Sequence, residues 1–194
     1  MGEKTFQSTL LGKLTENPEE SDSRAERYVI RATLREGIIV GLIGGLAGTM
    51  VMDLVLMGAL SAVRLPALTC FSIVGNTVAR FFSTLGIEIA GGVPLGAAAH
   101  YLIGPLVGAI FGAAVAQVPA LRVDTLKKGL VLAILYVEIL SQPILATTPI
   151  LLKMTAHETL QWFSVSFVMH FVLAVVLGVI VSYGLRFVAA ASQR

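Results

Sequence analysis

Four side chains able to carry a proton or ligate a metal stand in stretches otherwise too apolar to hold them: Asp53, His100, Glu138 and His170. An ionisable group inside a hydrocarbon layer is expensive, so it turns toward the interior of a helix bundle and marks a candidate site. Three chemistries suit this set. Neutral histidines can donate to a backbone carbonyl or to Asp53, with Glu138 protonated or paired, so that the polar contacts only fix helix register. Imidazole is also a standard axial ligand, so His100 and His170 would hold haem b if their ring nitrogens lay about 4 Å apart with iron midway. Asp53 with both histidines makes a metal-ligand set that suits zinc, copper or non-haem iron. Glu138 stands apart, sharing a helical face with Ser141 and Gln142.

The elements that must position these groups are membrane spans. With 56% hydrophobic and 13% charged residues among 194, the chain is not a soluble globule. A hydrocarbon core about 30 Å thick needs roughly 20 helical residues. Four segments pass that test: residues 37–60, 91–118, 129–152 and 160–185. The second and fourth lack any Asp, Glu, Lys or Arg, while the third is interrupted by Glu138, Pro143 and Pro149, where a kink is expected. Counting from the entry ends at 1.5 Å per residue places Asp53 and His170 about 24 Å deep, His100 slightly farther and Glu138 about 15 Å in. The first three therefore share one level.

The charges are distributed unevenly. The first 36 residues hold 13 of the 26, in a polar tail with a capping-box pattern at Ser23 and Glu26 and an arginine face at Arg24, Arg27, Arg31 and Arg35. This predicts an extramembrane tail over 1–36 with a juxtamembrane helix, and a second short tail over 188–194. Arg27, Arg31, Arg35, Arg122, Lys127, Lys128, Arg186 and Arg194 fall on one side, against Arg64, Arg80 and Lys153 on the other, which predicts both termini in the cytoplasm. A net charge of +2 leaves no basic surface for nucleic acid. A single cysteine, Cys70, closes no disulfide within the chain.

Between the first two spans, residues 65–89 are too apolar for a plain loop. Thr69, Ser72, Asn76, Arg80 and Ser83 form one stripe, with Phe71, Val74, Val78, Phe81 and Phe82 elsewhere. That pattern predicts an amphipathic helix at the outer interface, a fifth span being the alternative. His157 and Glu158 read as a solvated turn before the fourth span.

The chain repeats itself. Leu34 to Ile39 matches Leu126 to Val131, and His100 with Gly108 and Ile110 matches His170 with Gly178 and Ile180. This predicts a two-helix hairpin used twice, the copies related by an axis along the membrane normal. Small residues recur at four-residue spacing: Gly37, Gly41 and Gly45 in the first helix, Gly96, Gly104 and Gly108 in the second, Ala174 and Gly178 in the fourth. Such stripes let helix backbones approach closely where lipid offers no hydrophobic drive. The expected architecture is an all-α membrane four-helix bundle plus an outer interfacial helix.

A glycine-rich first helix, a histidine followed by glycines in the second, a Lys-Gly entry to the third and a second histidine-centred helix give the chain a resemblance. From Leu34 to Leu185 it resembles small four-helix membrane proteins of uncharacterised prokaryotic families, loosely the YagU-type inner membrane proteins. The resemblance implies a prokaryotic cytoplasmic-membrane protein and carries over no catalytic residue. The residues themselves hold no phosphate loop, Ser/His/Asp arrangement or paired carboxylates. The expected function is a noncatalytic structural or accessory subunit, packed in the bilayer against other membrane subunits or further copies of itself. That expectation rests on more small-residue stripe than four helices need among themselves. The sharper alternative is a haem-binding anchor of a quinone-linked redox complex. A metal-binding subunit or small transporter comes last, since so few interior polar groups offer little hydrated path.

Overall fold

A computed structural model describes residues 32–191. The Ser23 cap and Arg24, Arg27 and Arg31 of the predicted juxtamembrane helix lie outside them, as do residues 192–194, whereas Arg35 falls in the first turn of the helix that begins at Leu34, after an extended Thr33. The described chain forms α1 (Leu34–Ala62), α2 (Thr69–Thr84), α3 (Val93–Gln117), a 3-10 turn (Pro119–Leu121), α4 (Leu126–Leu152) and α5 (Ala156–Ala191), with no strand among the described residues. α1, α3, α4 and α5 are each long and apolar enough to cross a membrane, so this is a multi-pass membrane protein. The last helix runs on to Ala191 and takes up residues 188–191, which the sequence reading assigned to a tail.

Local chemistry sets where the helices begin. Thr33 caps α1 in a box with Glu36: the Thr33 hydroxyl accepts from Glu36 N at 3.3 Å and the Glu36 carboxylate from Thr33 N at 2.6 Å. Thr125 caps α4, its hydroxyl accepting from Lys128 N. Thr155 and Glu158 close the same reciprocal pattern at the start of α5. Hence His157 and Glu158 belong to the first turn of a helix, correcting the solvated turn expected there; Thr-x-x-Glu was the legible signal. At the start of α3, Gly92 adopts a left-handed φ of 88° and donates its N–H to Asn76 Oδ1.

The helices pack antiparallel in the ring order α3, α1, α5, α4, and both described ends lie at the same end of the bundle. α1 is the keystone: Gly37, Gly41 and Gly45 meet Gly112, Gly108 and Gly104 of α3, while Gly44 and Gly48 meet Leu177 and Leu173 of α5. A Cβ on any of the first three would collide with a carbonyl oxygen of α3. The duplication is visible in these contacts. Gly37 against Gly112 corresponds to Gly129 against Ser182, and Gly41 against Gly108 to Ala133 against Gly178.

The two-fold relation between the copies stops at one seam. α1 packs closely along α5, but the corresponding pair, α4 and α3, scarcely touches. α2 occupies the gap. Its first half is inserted, with the Phe71 backbone where a Gly96 side chain would stand and Gly75 against Gly92, while the buried Thr77 hydroxyl meets Thr148 of α4. Asn76 and Arg80 remain exposed, as an amphipathic helix requires. α2 is therefore a wedge as well as an interfacial helix. In the other half of the bundle Tyr136 bridges the same seam, donating to the Val107 carbonyl at 3.0 Å with its ring against Phe111.

The wedge yields a direct prediction. Burial pushes the Cys70 thiol, on α2, up to about 11, so it reacts slowly with maleimide while α2 is seated. Gly96→Leu should expel the Phe71 backbone and raise the labelling rate of this single cysteine at least about tenfold, through both exposure and a restored thiolate fraction. An unchanged rate in a folded variant would refute the wedge.

Candidate functional site

The wedge and the four spans line a chamber of about 1440 Å³, half open to the outside, in the half of the bundle away from the described ends. Every helix contributes wall: Met52 and Leu56 from α1, Ile73 and Thr77 from α2, Ile103 and Val107 from α3, Val137 and Ser141 from α4, Trp162 and Leu173 from α5. This exceeds the roughly 300–1,000 Å³ usual for small-molecule pockets. Leu140, Ile144 and Val168 belong to the wall and are also exposed on the outside of the bundle, so the chamber communicates with the lipid-facing surface. Trp162, the only tryptophan in the chain, is held by its indole N–H donating to the Leu145 carbonyl at 3.1 Å.

His100 and His170 both line this chamber. They stand at one level: Gly48 packs on Leu173, so Asp53, about one turn farther along α1, lies level with His170, about one turn earlier on antiparallel α5. The two imidazoles are held differently. His100 Nδ1 pairs with Asp53 Oδ1 at 3.0 Å, and its ring is edge-on to Phe71 with centroids 5.2 Å apart. His170 Nδ1 donates to the Ser166 carbonyl of its own helix at 2.7 Å. The repeat explains the difference, because the position equivalent to Asp53 in the second copy is Leu145. Without a carboxylate across the seam, the second histidine turns back to the carbonyl four residues earlier.

In both rings Nε2 is the polar atom left for an occupant of the chamber. For His170 its state follows from the hydrogen bond, since Nδ1 carries the proton and Nε2 presents a lone pair. Asp53, the partner of His100, is 3% exposed, the Tyr101 side chain also stands near its carboxylate, and no lysine or arginine lines the chamber.

The remaining sequence candidates fall elsewhere. Among the described residues no three His, Cys, Asp or Glu side chains gather as a metal site. Asp53 and His100 are joined, but His170 is turned to Ser166 and does not complete a ligand set with them, which corrects that expectation. Glu138 is outside the chamber wall; its Oε2 accepts from Gln142 Nε2 at 3.1 Å and its Oε1 is buried without a hydrogen bond. The glycines flanking His100 leave no free space for a macrocycle: a Cβ on Gly96 or Gly104 would strike Phe71 or Thr49. Gly41, Gly45, Gly104, Gly108 and Gly178 all pack within the bundle, so the surplus of small-residue surface on which an accessory role was argued is absent. Trp162, Ser166 and Phe71, which the sequence reading did not connect with the histidines, shape the site; Ser166 reaches His170 within one helix, whereas Phe71 meets His100 only through the tertiary fold. Compared with models of protein families, with curated proteins and with solved structures, the chain matches none.

Proposed function

We propose that the protein is a noncatalytic membrane protein that holds a lipophilic molecule inside the bilayer. The observation that carries this reading is the chamber itself: a largely apolar volume of about 1440 Å³ with two histidines in its wall. The lining disfavours an anionic ligand, because it holds no lysine or arginine to pair one and places Glu158 among its walls. The excess of Lys and Arg at the end where both described ends lie supports cytoplasmic termini in a prokaryotic inner membrane. Mild-detergent purification followed by solvent extraction and mass spectrometry tests the proposal. The expected result is one lipophilic species at close to one per chain, reduced in Ala99→Phe, which puts a bulky ring into the wall. An extract of bulk lipids alone, unchanged in that variant, would overturn it.

A haem held between His100 and His170 is the second reading, favoured by their common level and by Nδ1 atoms anchored as the outer partners of metal-bound histidines are. When bound, such a group would supply electron transfer, and His100 and His170 are the residues that would hold its iron. The residues fit its iron better than its edge, because two propionates would meet a wall without lysine or arginine. An absorbance spectrum decides: a Soret band lost in both His100→Ala and His170→Ala establishes haem, and a colourless protein from haem-replete cells removes it.

A further inference from the structure

The chamber runs lengthwise along the helices. Its wall extends from Thr49 to Val63 on α1 and from Glu158 to Leu173 on α5, about 21 Å and about 22 Å at 1.5 Å per residue. One side of this space is incomplete. α3 and α4 scarcely touch, and their seam is bridged at two levels: by the Tyr136 hydroxyl on the Val107 carbonyl, and nearer the other end by α2, whose Thr77 hydroxyl is 3.3 Å from that of Thr148. Because the helices are antiparallel, Val107 beside Tyr136 puts Ile103 level with Leu140. Between the two bridges Ile103 of α3 and Leu140, Pro143 and Ile144 of α4 line the chamber and are also exposed on the outside of the bundle. They edge a window. Leu140 and Ile144 lie about 21 Å and about 27 Å from the start of α4 at Leu126, and Ile144 about 12 Å short of its end at Leu152. With a hydrocarbon core about 30 Å thick, the window opens onto lipid tails and not onto headgroups or water.

We propose that the chamber takes a long-chain, uncharged lipophile that enters and leaves sideways, from the hydrocarbon layer, through the window between α3 and α4. This rests on the lipophilic-ligand reading and adds the ligand's class and its route. A chamber elongated along the helices suits an extended chain better than a compact body. A charged group would have to shed its water to pass at this depth, and the edges of the window offer it only apolar side chains. A phospholipid headgroup is held back for that reason. A hydrocarbon or isoprenoid chain meets no such barrier, since lipid tails are as apolar as Ile103, Leu140 and Ile144. A route differs from a binding wall in one measurable way: narrowing it slows entry and exit alike and leaves the affinity unchanged. Trp162 reports occupancy, being the only tryptophan, buried in the chamber wall, with its indole held on the carbonyl of Leu145 beside Ile144.

The test uses the full chain in vesicles loaded with 1-bromohexadecane, an uncharged chain whose heavy atom quenches tryptophan. These are mixed with excess vesicles free of it, and the recovery of Trp162 fluorescence is timed. Ile103→Phe and Leu140→Phe, each setting a ring in the window from one edge, should start as quenched as the unaltered protein and recover about tenfold more slowly, because the ring must swing aside before a chain passes. Ile110→Phe, exposed on α3 outside the chamber wall, should recover at the unaltered rate. Quenching by chains around the bundle is common to all these proteins, so the difference between them reports the window. Unchanged recovery in both window variants would overturn the route while leaving a chamber that binds lipophiles. Slower recovery in Leu160→Phe, at the far end of the chamber, with no effect of the window variants, would overturn it in favour of entry from that end. Loss of the starting quench in both window variants would make Ile103 and Leu140 part of the binding wall and likewise overturn the route. Absence of quenching in the unaltered protein would overturn the long-chain assignment, and the extraction experiment then decides separately whether the chamber holds another lipophile.

Discussion

Gly108→Val should destabilise the bundle by about 3 kcal/mol, at the upper end of the usual cost of overpacking, whereas Gly58→Ala should stabilise it by about 0.5–1 kcal/mol. Both glycines lie inside spanning helices, so propensity alone would treat them alike. Their surroundings differ. A Cβ at Gly108 meets the Gly41 carbonyl and the Gly45 backbone, neither of which can yield without parting α1 from α3, while a Cβ at Gly58 meets nothing within 4 Å. Lipid tails are as apolar as the helix surfaces they would replace, so close backbone contact is the main force joining these helices. Thermal unfolding in mild detergent, followed by circular dichroism, measures both changes. A Gly108→Val protein as stable as the unaltered chain would mean that the α1–α3 seam is not packed as described.

His100→Leu should cost about 3–5 kcal/mol, the range for removing one partner of a buried pair. Polar contacts within membranes often contribute less, averaging about 0.6 kcal/mol, because the separated helices find other partners. Asp53 is the exception expected here, since it is 3% exposed and His100 gives its carboxylate a 3.0 Å contact across the α1–α3 seam. The companion change decides between a polar contact and an uncompensated charge: His100→Leu combined with Asp53→Leu should recover most of the loss, because nothing polar is then left stranded. A single substitution costing under about 1 kcal/mol, or a double variant that pays the sum of both, would contradict the pairing. His170→Leu, by contrast, strands no carboxylate and should cost about 1 kcal/mol, the net value of an ordinary hydrogen bond.

What the sequence determined by itself was everything set by runs of neighbouring residues. Span length and hydropathy are local, so four membrane helices could be read directly, and a duplicated hairpin could be read from His100 and His170 each followed by a glycine eight residues on. Interior placement of Asp53 and both histidines was legible for the same reason, since charge in a span has few places to face. Caps were legible too, as Thr33 with Glu36 and Thr155 with Glu158 show, although a similar pattern at Ser23 competed with the first. Only the tertiary structure decided how the two copies differ. Whether a glycine stripe meets a partner chain or a neighbouring helix depends on which helices become neighbours, and α1 spends its stripes on both α3 and α5. Whether α2 lies on the bundle or in it depends on the gap between α3 and α4, which no stretch of either sequence records. Asp53 and Leu145 occupy equivalent places in the repeat, yet the consequence of that one difference, a histidine paired across a seam and its twin folded back on Ser166, appears only once the seams have formed. The chamber follows from the same cause: it is the space left where two similar hairpins meet and a short helix holds them apart.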